Sequence, residues 1–228
     1  INNRLLPAVK QGGFCRDDLF IWCGSVIKGE DGRFHMFASC WEKELGFGAN
    51  WLFNSRVVRA VSDTPEGPFR LEETVLPRRG RQYFDGMNTH NPYIRYWNGK
   101  YYLYYMGTTY GCPVPTHMDQ ISSELFTEVW NKKRIGLAVS HSVFGPWERR
   151  NTPLLEPRDC SYWDCTATTN PAVAILEDGR TYMLYKSRSY ANATLQIGVA
   201  MAERPDGEFR RISEEPVLSF DNPDFHLE

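Results

Sequence analysis

The chain has 228 residues, a net charge of −2 and an isoelectric point near 6.3. That near-neutral balance argues against a strongly basic nucleic-acid face or an anionic membrane surface as partner, and no apolar run approaches the roughly 18 residues of a membrane span. Aromatic residues make up 14%, with seven Trp and twelve Tyr, which suits a β-rich core or a sugar-binding cleft. The chain opens on Ile1 with no signal-peptide pattern, so it is expected to begin inside a longer product, with any targeting segment out of view. Six cysteines, at 15, 23, 40, 112, 160 and 165, form no CxxC pair. They argue against a zinc ribbon and leave the compartment undecided.

Three segments repeat along the chain. Gly24 to Ser39 reads GSVIKGEDGRFHMFAS, Asn91 to Gly107 reads NPYIRYWNGKYYLYYMG, and Asn170 to Ser187 reads NPAVAILEDGRTYMLYKS. Each is a short apolar run, a turn closing on glycine and an alternating aromatic run, which predicts a β-hairpin. The turn pairs are Asp31-Gly32, Asn98-Gly99 and Asp178-Gly179. A second unit follows each: RVVRAVSDTPEGPF, RIGLAVSHSVFGPW and QIGVAMAERPDGEF. In all three an alanine (Ala60, Ala138, Ala200) precedes a glycine (Gly67, Gly145, Gly207) by seven, and an aromatic residue (Phe69, Trp147, Phe209) follows the glycine by two.

Two hairpins give four strands, the content of one propeller blade. The first-turn glycines recur 67 and then 80 residues apart, a period that suits a blade better than a solenoid turn. The expected blades cover about 18–80, 85–157 and 164–220 of a single, incomplete domain spanning 1–228, and the tail FDNPDFHLE reads as the lead-in to a fourth near 221. One stretch has a helical period. Ile121, Leu125 and Val129 are spaced by four within Asp119 to Lys133, predicting a short helix or ordered loop inserted in the second blade.

The residues ahead of each first strand carry the expected chemistry. Asp85 lies six before Asn91, Asp164 six before Asn170, and Asp18 six before Gly24, which stands in the asparagine place. Equivalent positions at the start of each innermost strand should converge around a central channel. Several acids around one pocket is what glycoside hydrolysis requires. Like charges in close quarters raise the pKa of one and keep it protonated. The structural alternative is that these aspartates cap turns.

At this point the sequence resembles the five-bladed glycoside hydrolases. The resemblance rests on DDLFIWCGSVIKGEDGRFHMFASCW, SRVVRAVSDTPEGPF, YFDGMNTHNPYI and NGKYYLYYMG, from about Asp17 onward. It is similar to the arabinanase, xylosidase, invertase and levansucrase group, and nearest to family 43 and family 117-like proteins. It implies a glycosidase acting on an oligosaccharide or polysaccharide by paired carboxylates, with inversion favoured. The carboxyl separation tests this: roughly 6.5–9.5 Å for inversion, about 5–5.5 Å for retention. It further implies Asp18 (with Asp17 as the neighbouring alternative) as the general base. Asp164 becomes the residue that orients the sugar and tunes the acid, and Glu228 the acid, with His226 competing. No cofactor is required, though some relatives hold a divalent cation or water near the axis. One departure stands out: many relatives carry Asp-Pro where this chain reads Cys23-Gly24.

The remaining candidates each have two readings. Asp85 belongs to the expected sugar ring by its offset. His90 either donates to a sugar hydroxyl or bonds backbone in a turn. Trp22, Trp51 and Trp163 either stack on sugar faces or fill space between blades. Lys186 and Arg188 either bind hydroxyls or an acidic sugar, or lie on solvated surface, and Arg56 is similar. His35, inside a strand, reads as structural, and His117 and His141 have no partner pattern. Two further functions remain open: a glycan phosphorylase or transferase, whose phosphate pocket would use Arg78, Arg79 and Arg81, and a non-catalytic sugar-binding propeller.

Overall fold

A computed structural model describes residues 9–191 and 194–219. Twelve strands form three four-stranded antiparallel sheets, each in simple sequence order. The first holds β1 (Leu19–Lys28), β2 (Phe34–Glu42), β3 (Arg56–Ser62) and β4 (Arg70–Leu76). The middle sheet holds β5 (Asn88–Trp97), β6 (Lys100–Thr108), β7 (Arg134–Ser140) and β8 (Glu148–Arg149). The third holds β9 (Thr169–Ile175), β10 (Thr181–Ser187), β11 (Gln196–Ala202) and β12 (Arg210–Arg211). Two hairpins per repeat are therefore present, and the first-hairpin turns close on Gly32, Gly99 and Gly179 at φ of 80°, 79° and 90°. Only glycine adopts that conformation without steric cost.

The sheets stack face to face, and β6 shows why its sequence is apolar at nearly every position. Tyr101, Leu103 and Tyr105 join Phe37, Val57 and Leu76 in the core shared with the first sheet. Tyr102 and Tyr104 join Val173, Met183 and Tyr185 in the core shared with the third. A strand buried on both faces loses the polar alternation of a half-solvated one. Each fully buried side chain of this size contributes about 1.5–3 kcal/mol.

Repeated threonines stitch the joints between sheets. The Thr89 amide donates to the Ser55 carbonyl and its hydroxyl to the Leu76 carbonyl (3.0 Å); Thr168 does the same toward Lys133 and Leu155 (2.7 Å). These bonds tie the start of an innermost strand to the residue just before the third strand and to the end of the fourth strand, or the segment after it, of the sheet before it.

Two helices cover one end of the stack. The short α1 (Asn50–Asn54) lies between β2 and β3, and α2 (Ser123–Asn131) between β6 and β7. The expected insertion is thus a helix, four residues shorter at its start than the periodic stretch because the Ser122 hydroxyl caps it by accepting from the Leu125 amide. Ile121, Leu125 and Val129 pack against Leu52 and Phe53 of α1, as their spacing requires. No helix among the described residues is long and apolar enough to cross a membrane.

Candidate functional site

The innermost strands β1, β5 and β9 share a break in their pairing. The register slips between Trp22 and Ser25, between His90 and Tyr93, and opposite Leu184 and Lys186. At each slip one residue takes positive φ: Cys23 (50°), Asn91 (48°) and Asn170 (50°). Asparagine tolerates this region better than most residues, and cysteine has no such advantage. The three positions are equivalent by backbone conformation, so Cys23, not Gly24, stands in the asparagine place, and the residue six before it is Asp17.

These breaks open a cavity of about 230 Å³ at one end of the sheets. Trp22, His90, Asn91 and Asn170 come from the innermost strands, Trp41 and Lys186 from the second strands. Phe47, Trp51, Trp130, Lys133 and Leu195 come from the connections between second and third strands. The helices are therefore the means by which Trp51, Trp130 and Lys133 reach the cavity.

His90 is 3% exposed, its Nδ1 lies 2.7 Å from the Ser55 hydroxyl, and its ring sits against Trp41 and Trp51. Burial first, then the charges of Lys133 and Lys186, push its pKa down to about 3, so it is neutral near pH 7. Lys133 is 3% exposed, with its ammonium 3.4 Å over the Trp130 ring. Burial and the neighbouring Lys186 and Arg188 hold its pKa well below the usual lysine value. The Arg188 guanidinium lies on the same Trp130 ring at 3.9 Å.

The expected ring of acids is not on this wall. Asp85 and Asp164 are both fully buried, each held by two arginines and a tyrosine. Asp85 accepts from Arg79 Nε (2.8 Å), Arg149 Nη2 (2.6 Å) and the Tyr105 hydroxyl (2.6 Å). Asp164 accepts from Arg158 Nε (2.6 Å), Arg211 Nε (2.5 Å) and the Tyr185 hydroxyl (2.7 Å). Burial works to raise the Asp164 pKa, and the bonds from Arg158, Tyr185 and Arg211 outweigh it, so the carboxyl sits below its usual range. Asp18 is exposed and paired with Arg16 at 2.8 Å.

The physical reason lies in the loops. Six extended residues would run about 20 Å along the strand direction. Here the loop ahead of each aspartate coils back on itself before the strand begins, with the Arg79 amide donating to the Gly86 carbonyl and, one repeat on, the Arg158 amide to the Asp164 carbonyl. Each aspartate is thereby swung over the second strand of its own sheet. A Cβ added to Gly107 of β6 would lie 2.2 Å from the Asp85 Cβ, which shows how close the approach is.

The other expected residues divide cleanly. Trp22, Trp51, His90 and Lys186 line the cavity, and Arg188 backs it through Trp130. Trp163 does not: it stacks on Tyr185 at 5.9 Å and donates its indole N–H to the Glu214 carbonyl, bracing the Asp164 cluster. His35 is buried between Asp31 and Arg59, in keeping with a structural reading. Glu228 and His226 lie outside the described residues. Arg78, Arg79 and Arg81 donate to protein acceptors, namely the Met87 carbonyl, Asp85 and the Cys112 carbonyl. Among the described residues no cluster of three or more His, Cys, Asp or Glu side chains forms a metal site.

Sequence reasoning missed Trp41, Trp130 and Lys133. Trp130 and Lys133 sit at the end of the inserted helix, where nothing repeats. Asn91 and Asn170 served only as landmarks, although their recurrence marked the cavity.

The fold is similar to that of solved glycoside hydrolases. Zg3597, a family 117 glycoside hydrolase produced by the marine bacterium Zobellia galactanivorans, superposes with a TM-score of 0.71 at 19% identity, over 91% of this chain and 60% of its own. A thermostable family-43 glycoside hydrolase gives 0.54 at 21% identity, covering 87% of this chain and 56% of its own. The GH43_1 enzyme from Xanthomonas citri complexed with xylotriose gives 0.52 at 18% identity, over 85% and 56%. The likeness is one of fold, and this chain spans about 60% of the first relative's length. No protein-family model and no curated protein sequence matches the chain.

Proposed function

We propose that the chain is part of a five-bladed β-propeller glycoside hydrolase, its three sheets being three of the blades, and that the aromatic cavity holds the sugar. One observation carries this reading. Trp22, Trp51 and Trp130 meet His90, Asn91 and Asn170 in one cavity at the heads of the innermost strands. Aromatic faces for the apolar side of a pyranose and short polar groups for its hydroxyls are what a sugar subsite needs.

In this reading the glycosidic bond is hydrolysed with inversion, the outcome the family resemblance favours. Glu228 and His226 stay the candidates for the acid. Asp164 and Asp85 act as structural ties that hold the loops at the rim, and neither touches substrate. A second reading, a non-catalytic carbohydrate-binding propeller, is favoured by one particular feature. Cys23 occupies the backbone position where many relatives carry aspartate, and no carboxylate lines the described wall.

A hydrolysis screen on aryl glycosides and oligosaccharides, with the product anomer followed by NMR, tests the first reading. Turnover that is lost in Trp51→Ala and retained in Asp18→Asn supports a hydrolase working at the cavity. Sugar binding without turnover supports the second reading. Neither turnover nor binding across neutral and acidic sugars overturns both.

A further inference from the structure

We infer that Ser55 is a positioning residue: its hydroxyl donates to Nδ1 of His90 and so holds the imidazole as the Nε2–H tautomer, a fixed hydrogen-bond donor facing the cavity. The acceptor opposite it, resting on the reading of the cavity as a sugar site, is a hydroxyl or ring oxygen of the sugar.

A neutral imidazole has one N–H and one bare nitrogen, and a serine hydroxyl has one proton to give. His90 and Ser55 are 3% and 2% exposed, and 2.7 Å separates Ser55 Oγ from His90 Nδ1. With the imidazole proton on Nδ1, that N–H would donate to Oγ, and the hydroxyl proton would have no acceptor among the described residues. A buried donor without a partner costs its full desolvation. With Oγ donating instead, both groups of the pair are satisfied and the imidazole proton sits on Nε2. Burial above all, and then the charges of Lys133 and Lys186, keep the ring neutral, so it has a single N–H to place.

His90 lines the cavity and Ser55 does not. Nδ1 is therefore turned away from the cavity, and Nε2 has no partner among the described residues. The rings of Trp41 and Trp51, with centroids 5.9 and 5.2 Å away, hold the imidazole from its sides. Ser55 is itself fixed. It follows α1 directly, where the Asn54 amide group donates to Asn50 Oδ1 (3.1 Å) and to the Pro115 carbonyl (2.9 Å). Its own carbonyl accepts from the amide of Thr89, the residue before His90. The connection that brings Trp51 to the cavity wall thus also supplies the group that orients His90. A hydroxyl that merely joined the two sheets would serve with either tautomer.

Labelling the protein with ¹⁵N-histidine and recording long-range ¹H–¹⁵N correlation spectra reads the tautomer directly, with His90 assigned by the signals that vanish in His90→Gln. The expected wild-type pattern is a protonated Nε2 and a bare Nδ1. Ser55→Ala should show a second tautomer in exchange with the first, and Ser55→Thr, which keeps the hydroxyl, should restore the single form. Circular dichroism identifies any variant that fails to fold, and the wild-type spectrum then decides alone. A proton on Nδ1 in the wild-type protein, or one unchanged tautomer in folded Ser55→Ala, overturns the inference. Calorimetric titration with the aryl glycosides and oligosaccharides of the hydrolysis screen tests the role toward the sugar. Ser55→Ala should bind about fivefold more weakly than wild type, and Ser55→Thr close to wild type. Unchanged affinity in Ser55→Ala with its tautomer altered overturns that role while leaving the sugar site standing. No binding of any of these sugars overturns the sugar-site reading, and the tautomer is decided by the spectra in either case.

Discussion

The first sheet and the other two solve the same joint differently. In the middle and third sheets a buried aspartate ties the incoming loop to the outermost strand through Arg149 or Arg211 and to the second strand through Tyr105 or Tyr185. Those tyrosines pair across to Gly136 and Gly198, where an added Cβ would lie within about 2.5 Å of the ring. In the first sheet the matching pair is Ala38 and Val58, and the matching aspartate, Asp17, is exposed. The tyrosine that would receive the carboxylate is absent, so the acid stays in solvent. An aspartate recurring at a fixed offset is thus a structural element where a tyrosine faces a glycine, and a surface residue where neither is present.

The sharpest way to break this comparison is to neutralise one acid of each kind. Asp164→Asn leaves Arg211 without its carboxylate and Arg158 with only the exposed Glu214, and should cost about 3–5 kcal/mol of stability by denaturant unfolding. Asp18→Asn should leave the unfolding midpoint unchanged. The pH dependence follows the same division. The folded Asp164 pKa is lowered, so its contribution is complete above the unfolded value of about 4 and is lost as pH falls through the folded one. The Asp164→Asn variant should lose that acid limb.

Next in size is Gly198→Ala, which forces a methyl group against the Tyr185 ring and should destabilise by about 1–3 kcal/mol. A thermal melt checks it, and a neutral result would mean that the tyrosine is free to move. Trp51→Ala should weaken sugar binding about tenfold with little loss of fold, measured by titration.

His90 gives a milder signature. Its folded pKa of about 3 lies below the unfolded 6.5, so the stability it contributes is present above pH 6.5 and declines as pH falls from there toward 3. His90→Gln should flatten that slope in unfolding measurements between pH 6.5 and 5. Smallest is Cys23→Asn, expected to gain about 0.5 kcal/mol because asparagine sits more easily at a φ of 50°.

The repeat was legible because strands and turns are local. Glycines at 32, 99 and 179, with alternating aromatics behind them, announce hairpins without tertiary information. The direction of Asp85 and Asp164 was not, because the loop ahead of each can run straight or coil, and only the packing of Gly107 and the two tyrosines decides which. A local clue to their role was nonetheless present: Arg79 precedes Asp85 and Arg158 precedes Asp164 by the same six residues. The cavity was half legible. His90, Trp22 and Lys186 sit on repeated strands, while Lys133 and Trp130 arrive on a helix that only one repeat carries.

The most direct test of the account is a crystal structure of the protein with a bound oligosaccharide. The account predicts a sugar ring against Trp22 and Trp51, within hydrogen-bond reach of His90, Asn91 or Asn170. A sugar bound instead beside Asp18, or in contact with the carboxylates of Asp85 or Asp164, would contradict it.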